Sequence, residues 1–170
     1  NYWETVREYY YPFESGLKAG TAEVYQHEIP GGQYSNLRPQ ANALGLGDKF
    51  QEIKQRYAEV NHLFGDIVKV TPSSKVVGDL AQFMVSQGLT IQDIWEKGED
   101  ISFPASVISF FKGDLGQPMG GFPERLQQIV LKDEKPFTTR ANAHLPAVDF
   151  DKELPEFLDK YQPDADRQLD

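Results

Sequence analysis

The chain has 170 residues, a mass of 19.3 kDa and no cysteine, and its 17 basic and 26 acidic side chains leave a net charge of −9. That length predicts one domain, or one domain and a tail, able to bury about 70% of its unfolded surface. The missing thiols exclude a disulfide scaffold, a thiolate metal cluster and a cysteine nucleophile, and the acidic field disfavours a nucleic-acid partner.

Acid concentrates in the second half, net −7 over residues 81–170 against −2 over residues 1–80. No apolar run reaches the roughly 20 residues of a membrane span, so no membrane partner is expected. No signal peptide opens the chain, which starts inside an amphipathic pattern at Asn1-Tyr2-Trp3 and reads as a piece of something larger. Lack of cysteine fits a reducing compartment, and the expected location is cytoplasmic.

The dominant period is helical. Tyr2, Val6, Tyr9, Tyr10 and Phe13 form one helical stripe that ends at Pro12. Residues 15–34 read as an irregular segment, after which Ser35 is placed to cap a short helix carrying Leu37, Ala41 and Leu44. The clearest helix is 49–64, with Phe50, Ile53, Tyr57, Val60 and Phe64 on one face and Lys49, Glu52, Lys54, Arg56 and Glu59 on the wet faces. Asp48 is positioned to cap it and Gly65 to end it.

A β-rich stretch, Ile67 to Val70, then runs into a helix over about 72–87, with Val76, Leu80, Phe83, Met84 and Gln87 on one face and Gly88 as its stop. Thr90 starts a shorter helix through Trp95. Phe103-Pro104 and Phe122-Pro123 start two more, with proline at the first helical position. Residues 136–149 have no period and read as an extended arm; 151–161 is a last acidic helix, and 163–170 a frayed tail. The predicted fold class is mainly α, with six to eight helices.

Chemistry-bearing patterns are few. His27, His62 and His144 share no metal-binding spacing, so no metal ligands are assigned; His27 reads as structural and His62 as a surface or boundary residue. Gly116 through Gly121 reads as turn chemistry and nothing more. Gly31-Gly32-Gln33 also occurs at the tip of translation release factors, but that role needs a basic neighbourhood that these acidic surroundings do not supply. One candidate remains, Val70-Thr71-Pro72-Ser73-Ser74-Lys75. Its plain reading is a helix start, with Thr71 as N-cap, Pro72 at the first position and Ser74 in the first turn. A helix N-terminus also favours developing negative charge, and Lys75 is a cation placed against the helix dipole. The pattern is compatible with the edge of an active site.

Three runs carry a resemblance: Tyr25 to Leu37, Gly65 to Asp79, and Phe103-Pro104 through Gly121. Together they resemble the later part of the carboxyltransferase domain of the pyruvate carboxylase family, over nearly all of residues 2–151. The resemblance implies a helical, funnel-like extension that covers the mouth of a (β/α)8 barrel, with the barrel itself outside this chain. Residues 1–150 would form the funnel region, and residues 151–170 an acidic helix and tail leading toward the next domain. The chain departs from the family at Arg140-Ala141-Asn142-Ala143, where Arg-Pro-Gly is common.

The family's activity, as the resemblance implies it, moves a carboxyl group from carboxybiotin to pyruvate to give oxaloacetate. Thr71 matches the family's threonine proton relay, and Ser74 and Lys75 match positions in the biotin pocket. Biotin would be carried on another domain, and the divalent metal and ATP bound outside this chain. The implied partners are the barrel and the biotin carrier domain of the same polypeptide, in a homo-oligomer. The α subunit of oxaloacetate decarboxylase and transcarboxylase share the funnel, but their motif usually continues Ser-Gln after Thr-Pro, so Lys75 favours the carboxylase. In isolation the chain would be an inactive docking module.

Overall fold

The computed structural model describes residues 1–14, 16 and 20–161; the predicted frayed tail lies outside the described residues. Within them the fold is helical throughout, as the dominant period requires, with no strand. The α-helices are α1 (Tyr2–Tyr10), α2 (Val24–His27), α3 (Gly31–Ala43), α4 (Phe50–Leu63), α5 (Ser73–Gln87), α6 (Ile91–Lys97), α7 (Ala105–Lys112), α8 (Glu124–Leu131) and α9 (Phe150–Tyr161). The β-rich stretch from Ile67 to Val70 is irregular backbone, because no second strand lies beside it to complete a ladder.

The pair α4–α5 is the centre of the molecule, flanked by α3 and α7 on α5 and by α2 on α4. Each apolar position predicted on the α4 stripe is buried, Ile53, Tyr57 and Val60 completely. They meet Val76, Val77, Leu80, Ala81 and Met84 of α5. At roughly 1.5–3 kcal/mol for each large apolar side chain, this contact dominates the stability of the fold. A second cluster forms where α7 reaches α4: the Phe111 ring lies 5.0 Å from Phe64, 5.3 Å from Phe110 and 5.4 Å from Phe122. Edge-to-face geometry at such spacings adds to simple burial.

Several local expectations need correction. The first turn of α3 is Gly31-Gly32-Gln33 itself, and Ser35 is no cap: its hydroxyl donates to the Gly32 carbonyl inside the helix. The Gln33 side chain is buried beside Gly78 of α5, where an added Cβ would come within 2.8 Å of the Gln33 amide nitrogen and 3.0 Å of Leu37. Glycine at 78 lets α3 and α5 approach, and Gln33 fills the gap. Lys54 does not face water: α2 covers it, and its buried ammonium donates to Glu23 at 2.6 Å. Asp48 does not cap α4, which is entered through a 3-10 turn, Gly47–Lys49. Pro104 and Pro123 occupy N-cap positions, one residue before those predicted. The stops at Gly65, Gly88 and Gly113 are as expected, each with a positive φ. The arm is not wholly extended, since Ala141–His144 makes a 3-10 turn.

His27 is buried, and the Ile29 N–H donates to its Nδ1 at 2.9 Å, so it is a structural residue. Burial, with Lys54 nearby, pushes the imidazole below the usual histidine range and keeps it neutral. His62 is exposed, with Nδ1 2.5 Å from Asp66. Glu28, in a left-handed conformation at φ 59, accepts from Lys69 at 2.8 Å and Asn61 at 3.1 Å. That pair of bonds holds the stretch leading to Thr71 against α4.

Helices α1 and α9 stand apart from this core. Neither buries a residue, although both are amphipathic. Trp3, Tyr9 and Phe13 at one end of the chain, and Phe150, Leu154 and Phe157 at the other, are all more than half exposed.

Truncating Phe111 to alanine should destabilise the chain by about 3–5 kcal/mol in urea unfolding, because three rings lose their common neighbour. The Lys69 hydrogen bond, ahead of the other influences, holds the Glu28 carboxyl below its ordinary range. The folded state then binds fewer protons than the unfolded chain, so this tie stabilises above pH of about 4.3 and is lost as pH falls through the folded value. Lys69→Met should therefore lower the melting temperature at pH 7 and converge on the parent as pH falls through the lowered folded value; a gap independent of pH would refute the assignment. The exposed faces of α1 and α9 should make the isolated chain self-associate or bind a hydrophobic dye. Sedimentation showing a dye-silent monomer at high concentration would contradict this.

Candidate functional site

The bend that enters α5 is tied by the Ser73 side chain and not by Thr71. Ser73 Oγ lies 2.7 Å from the carbonyls of Val68 and Val70 and accepts from the Val70 N–H at 3.1 Å. The helix begins at Ser73, with Pro72 in the N-cap position, no side-chain cap, and a cis Thr71–Pro72 peptide. The predicted Thr71 cap and first-position Pro72 are thus both displaced by one residue. A proline at 72 cannot donate, and the knot formed by Ser73 satisfies the turn in place of a threonine cap. Thr71 is exposed, and its hydroxyl caps no helical N–H.

Thr71 lines an open groove of about 600 Å³. One wall is the segment from Gly65 to Ser73, and the other is Phe110 with the loop from Leu115 to Met119. Ile67, Val70, Phe110, Leu115 and Met119 make the lining largely apolar, with the Thr71 hydroxyl among few polar groups. The loop that read only as turn chemistry is therefore half of the groove. It turns through Gly116, Gly120 and Gly121, all at positive φ, and the Gln117 amide ties it to the Phe137 carbonyl at 3.1 Å. Met119 at its tip is fully exposed. Nothing in the periodicity pairs this loop with Thr71, because the two lie more than 40 residues apart and meet only through the packing of α7 on α5.

Ser74 and Lys75 follow Thr71 in the chain but do not line the groove. Ser74 is buried, and its carbonyl accepts from the Tyr57 hydroxyl at 3.1 Å. Burial, with Glu28 nearby, pushes that phenol far above its usual range, so it stays a donor. Lys75 is more than half exposed, and its ammonium donates to Asp79 at 2.5 Å. Among the described residues no three carboxylates or imidazoles converge in a way that could hold a metal ion, and no helix is long and apolar enough to cross a membrane. A smaller cleft of about 340 Å³, where the Arg125 guanidinium stacks 5.0 Å from the Trp95 ring, contains none of the three candidate residues.

Residues 24–169 match the family described as the conserved carboxylase domain. Pyruvate carboxylase from Bacillus subtilis (strain 168) is 55% identical over 160 residues, which are 94% of this chain and 14% of that protein. The carboxyl transferase domain from Rhizobium etli pyruvate carboxylase superposes with a TM-score of 0.88 at 53% identity, covering 95% of this chain and 27% of that one. The same domain solved with pyruvate and biocytin superposes equally, also at 0.88. The chain therefore spans about a seventh of the curated relative and about a quarter of the solved domain. With its helical fold matched over nearly its full length, the chain belongs to the conserved carboxylase domain family, as a segment homologous to part of the carboxyltransferase domain of pyruvate carboxylases.

Proposed function

We propose that this chain supplies one wall of the carboxyltransferase site in a biotin-dependent pyruvate carboxylase, with Thr71 relaying protons. The observation that carries this reading is an exposed threonine on a largely apolar groove whose hydroxyl is not spent on capping the helix behind it. A hydroxyl can accept a proton and give one, so it can pass hydrogen between two partners without water entering. The Ser73 knot fixes the backbone leading to Thr71, and so the point from which its side chain reaches into the groove.

The groove is roomy enough for a small bicyclic ring, and its apolar lining suits one that must be kept dry. Biotin, carried on another domain, would bring the carboxyl group destined for pyruvate, whose product is oxaloacetate. Lys75, two residues beyond the groove-lining Ser73, would extend its ammonium to a ring oxygen, and the buried Ser74 would support that wall without lining it. Divalent metal and ATP belong to sites outside this chain. The remaining carboxyltransferase barrel and the biotin carrier domain complete the site, in a cytoplasmic homo-oligomer. Residues 1–150 form the funnel region of this reading, and residues 151–170 lead toward the next domain. The exposed α1 and α9 favour a second role, as docking surfaces when the chain stands alone.

In the full-length enzyme, Thr71→Ala should lower carboxyl transfer to pyruvate by about 10²–10⁴-fold. ATP-dependent carboxylation of biotin should survive, and Thr71→Ser should retain part of the transfer. Because Thr71 caps nothing, the Ala variant should melt close to the parent. An Ala variant within about tenfold of the parent in oxaloacetate formation would remove Thr71 from the chemistry.

A further inference from the structure

Lys75 is badly placed for stabilising its own helix. It stands in the first turn of α5, where the dipole presents positive charge, and a cation there is repelled. Its partner Asp79 lies four residues C-terminal to it, the reverse of the order that favours a helical ion pair. Exchanging the two residues would satisfy both preferences, so helix stability does not account for the arrangement.

What the arrangement does achieve is a fixed ammonium. Asp79 is four-fifths covered, and its Oδ2 accepts from Lys75 at 2.5 Å and from the Ser106 hydroxyl of α7 at 2.6 Å. The carboxylate is thus anchored across the α5–α7 contact, not merely along one helix. Hydrogen bonds to ionised groups are the stronger kind, and a carboxylate held from two sides loses little further freedom when it orients a lysine. The lysine side chain remains more than half exposed. An ammonium has three donors, and one of them is engaged by Asp79. Two N–H groups stay available in a direction that Asp79 and Ser106 restrict.

The geometry points to Asp79, steadied by Ser106, as the positioning residue for Lys75: the chain Ser106–Asp79–Lys75 aims the ammonium at an acceptor oxygen of the bound ring. This inference rests on the assignment of Lys75 to the biotin pocket. Asp79 touches neither substrate nor cofactor and acts only through the lysine, so its loss should impair carboxyl transfer while sparing steps that do not use Lys75.

The test is a double-mutant cycle in the full-length enzyme. Asp79→Asn keeps an acceptor oxygen for Ser106, so the fold should survive, as circular dichroism melting can verify. Asp79→Asn should reduce the kcat for oxaloacetate formation by about tenfold, leaving the KM for pyruvate and ATP-dependent biotin carboxylation unchanged; Ser106→Ala should give a smaller loss of the same kind. In a Lys75→Ala background, adding Asp79→Asn should cost nothing more, because both remove one function. If the two losses multiply, or Asp79→Asn is as active as the parent while Lys75→Ala is impaired, the positioning role is overturned. If Lys75→Ala itself transfers at the parental rate, the pocket assignment for Lys75 falls, and the inference falls with it.

Discussion

A buried phenol must find an acceptor, and in this molecule that need joins the core to the groove. Tyr57 lies on the most regular apolar stripe of the chain and is fully buried, so its hydroxyl cannot turn to water. It donates to the Ser74 carbonyl, in the first turn of the neighbouring helix. The contact that contributes most hydrophobic burial, α4 on α5, thereby also fixes where α5 begins. Everything around Thr71 follows from that starting point. An unpaired hydroxyl at this depth would cost about 1–3 kcal/mol, so the register of the two helices is specified by polarity as well as by shape.

Around this pair the fold assigns different materials to different tasks. Apolar side chains fix the distance between helices, and polar ones fix what the connecting segments do. Glu28, Asn61 and Lys69 hold the approach to the groove, while Ser73 ties the bend itself. The Lys54–Glu23 pair has another character, with an almost wholly buried cation reaching a half-exposed carboxylate. Its effect is to seal the edge of α4 with the short α2, which could not pack there on four residues alone.

Much of the core was legible in the sequence. The 3, 4, 3, 4 spacing from Phe50 to Phe64 named five residues that are all buried, and Thr90 does cap α6, in a box with Asp93. Helix starts were read less well wherever a different residue supplied the hydrogen bond. Thr71 and Ser73 are both good capping types two positions apart, and pattern alone cannot tell which hydroxyl turns inward. Lys54 sits on the polar side of its own helix, and the α2 that covers it comes from a segment with no periodicity. Thr71, Ser74 and Lys75 were singled out through a resemblance of motif, not through spacing. The facing loop and Asp79 were missed because their significance depends on contacts between α5 and α7, which a single sequence does not encode locally.

The two walls of the groove have different foundations. The wall bearing Thr71 is welded to the core through Ser73, Tyr57 and the start of α5, so a change of one residue in its length would disturb the whole interior. The opposite wall is carried by a glycine-rich loop whose ends are fastened beyond it, where the Gly113 N–H meets the Phe110 carbonyl and the Phe137 N–H meets the Lys112 carbonyl. Exchanges at the exposed tip, Leu115 to Met119, lie outside both α7 and α8 and bury nothing in the core. Lineages can thus diverge in the width and greasiness of the opening while inheriting an unchanged Thr71 side. Mutational tolerance across this groove is lopsided by construction.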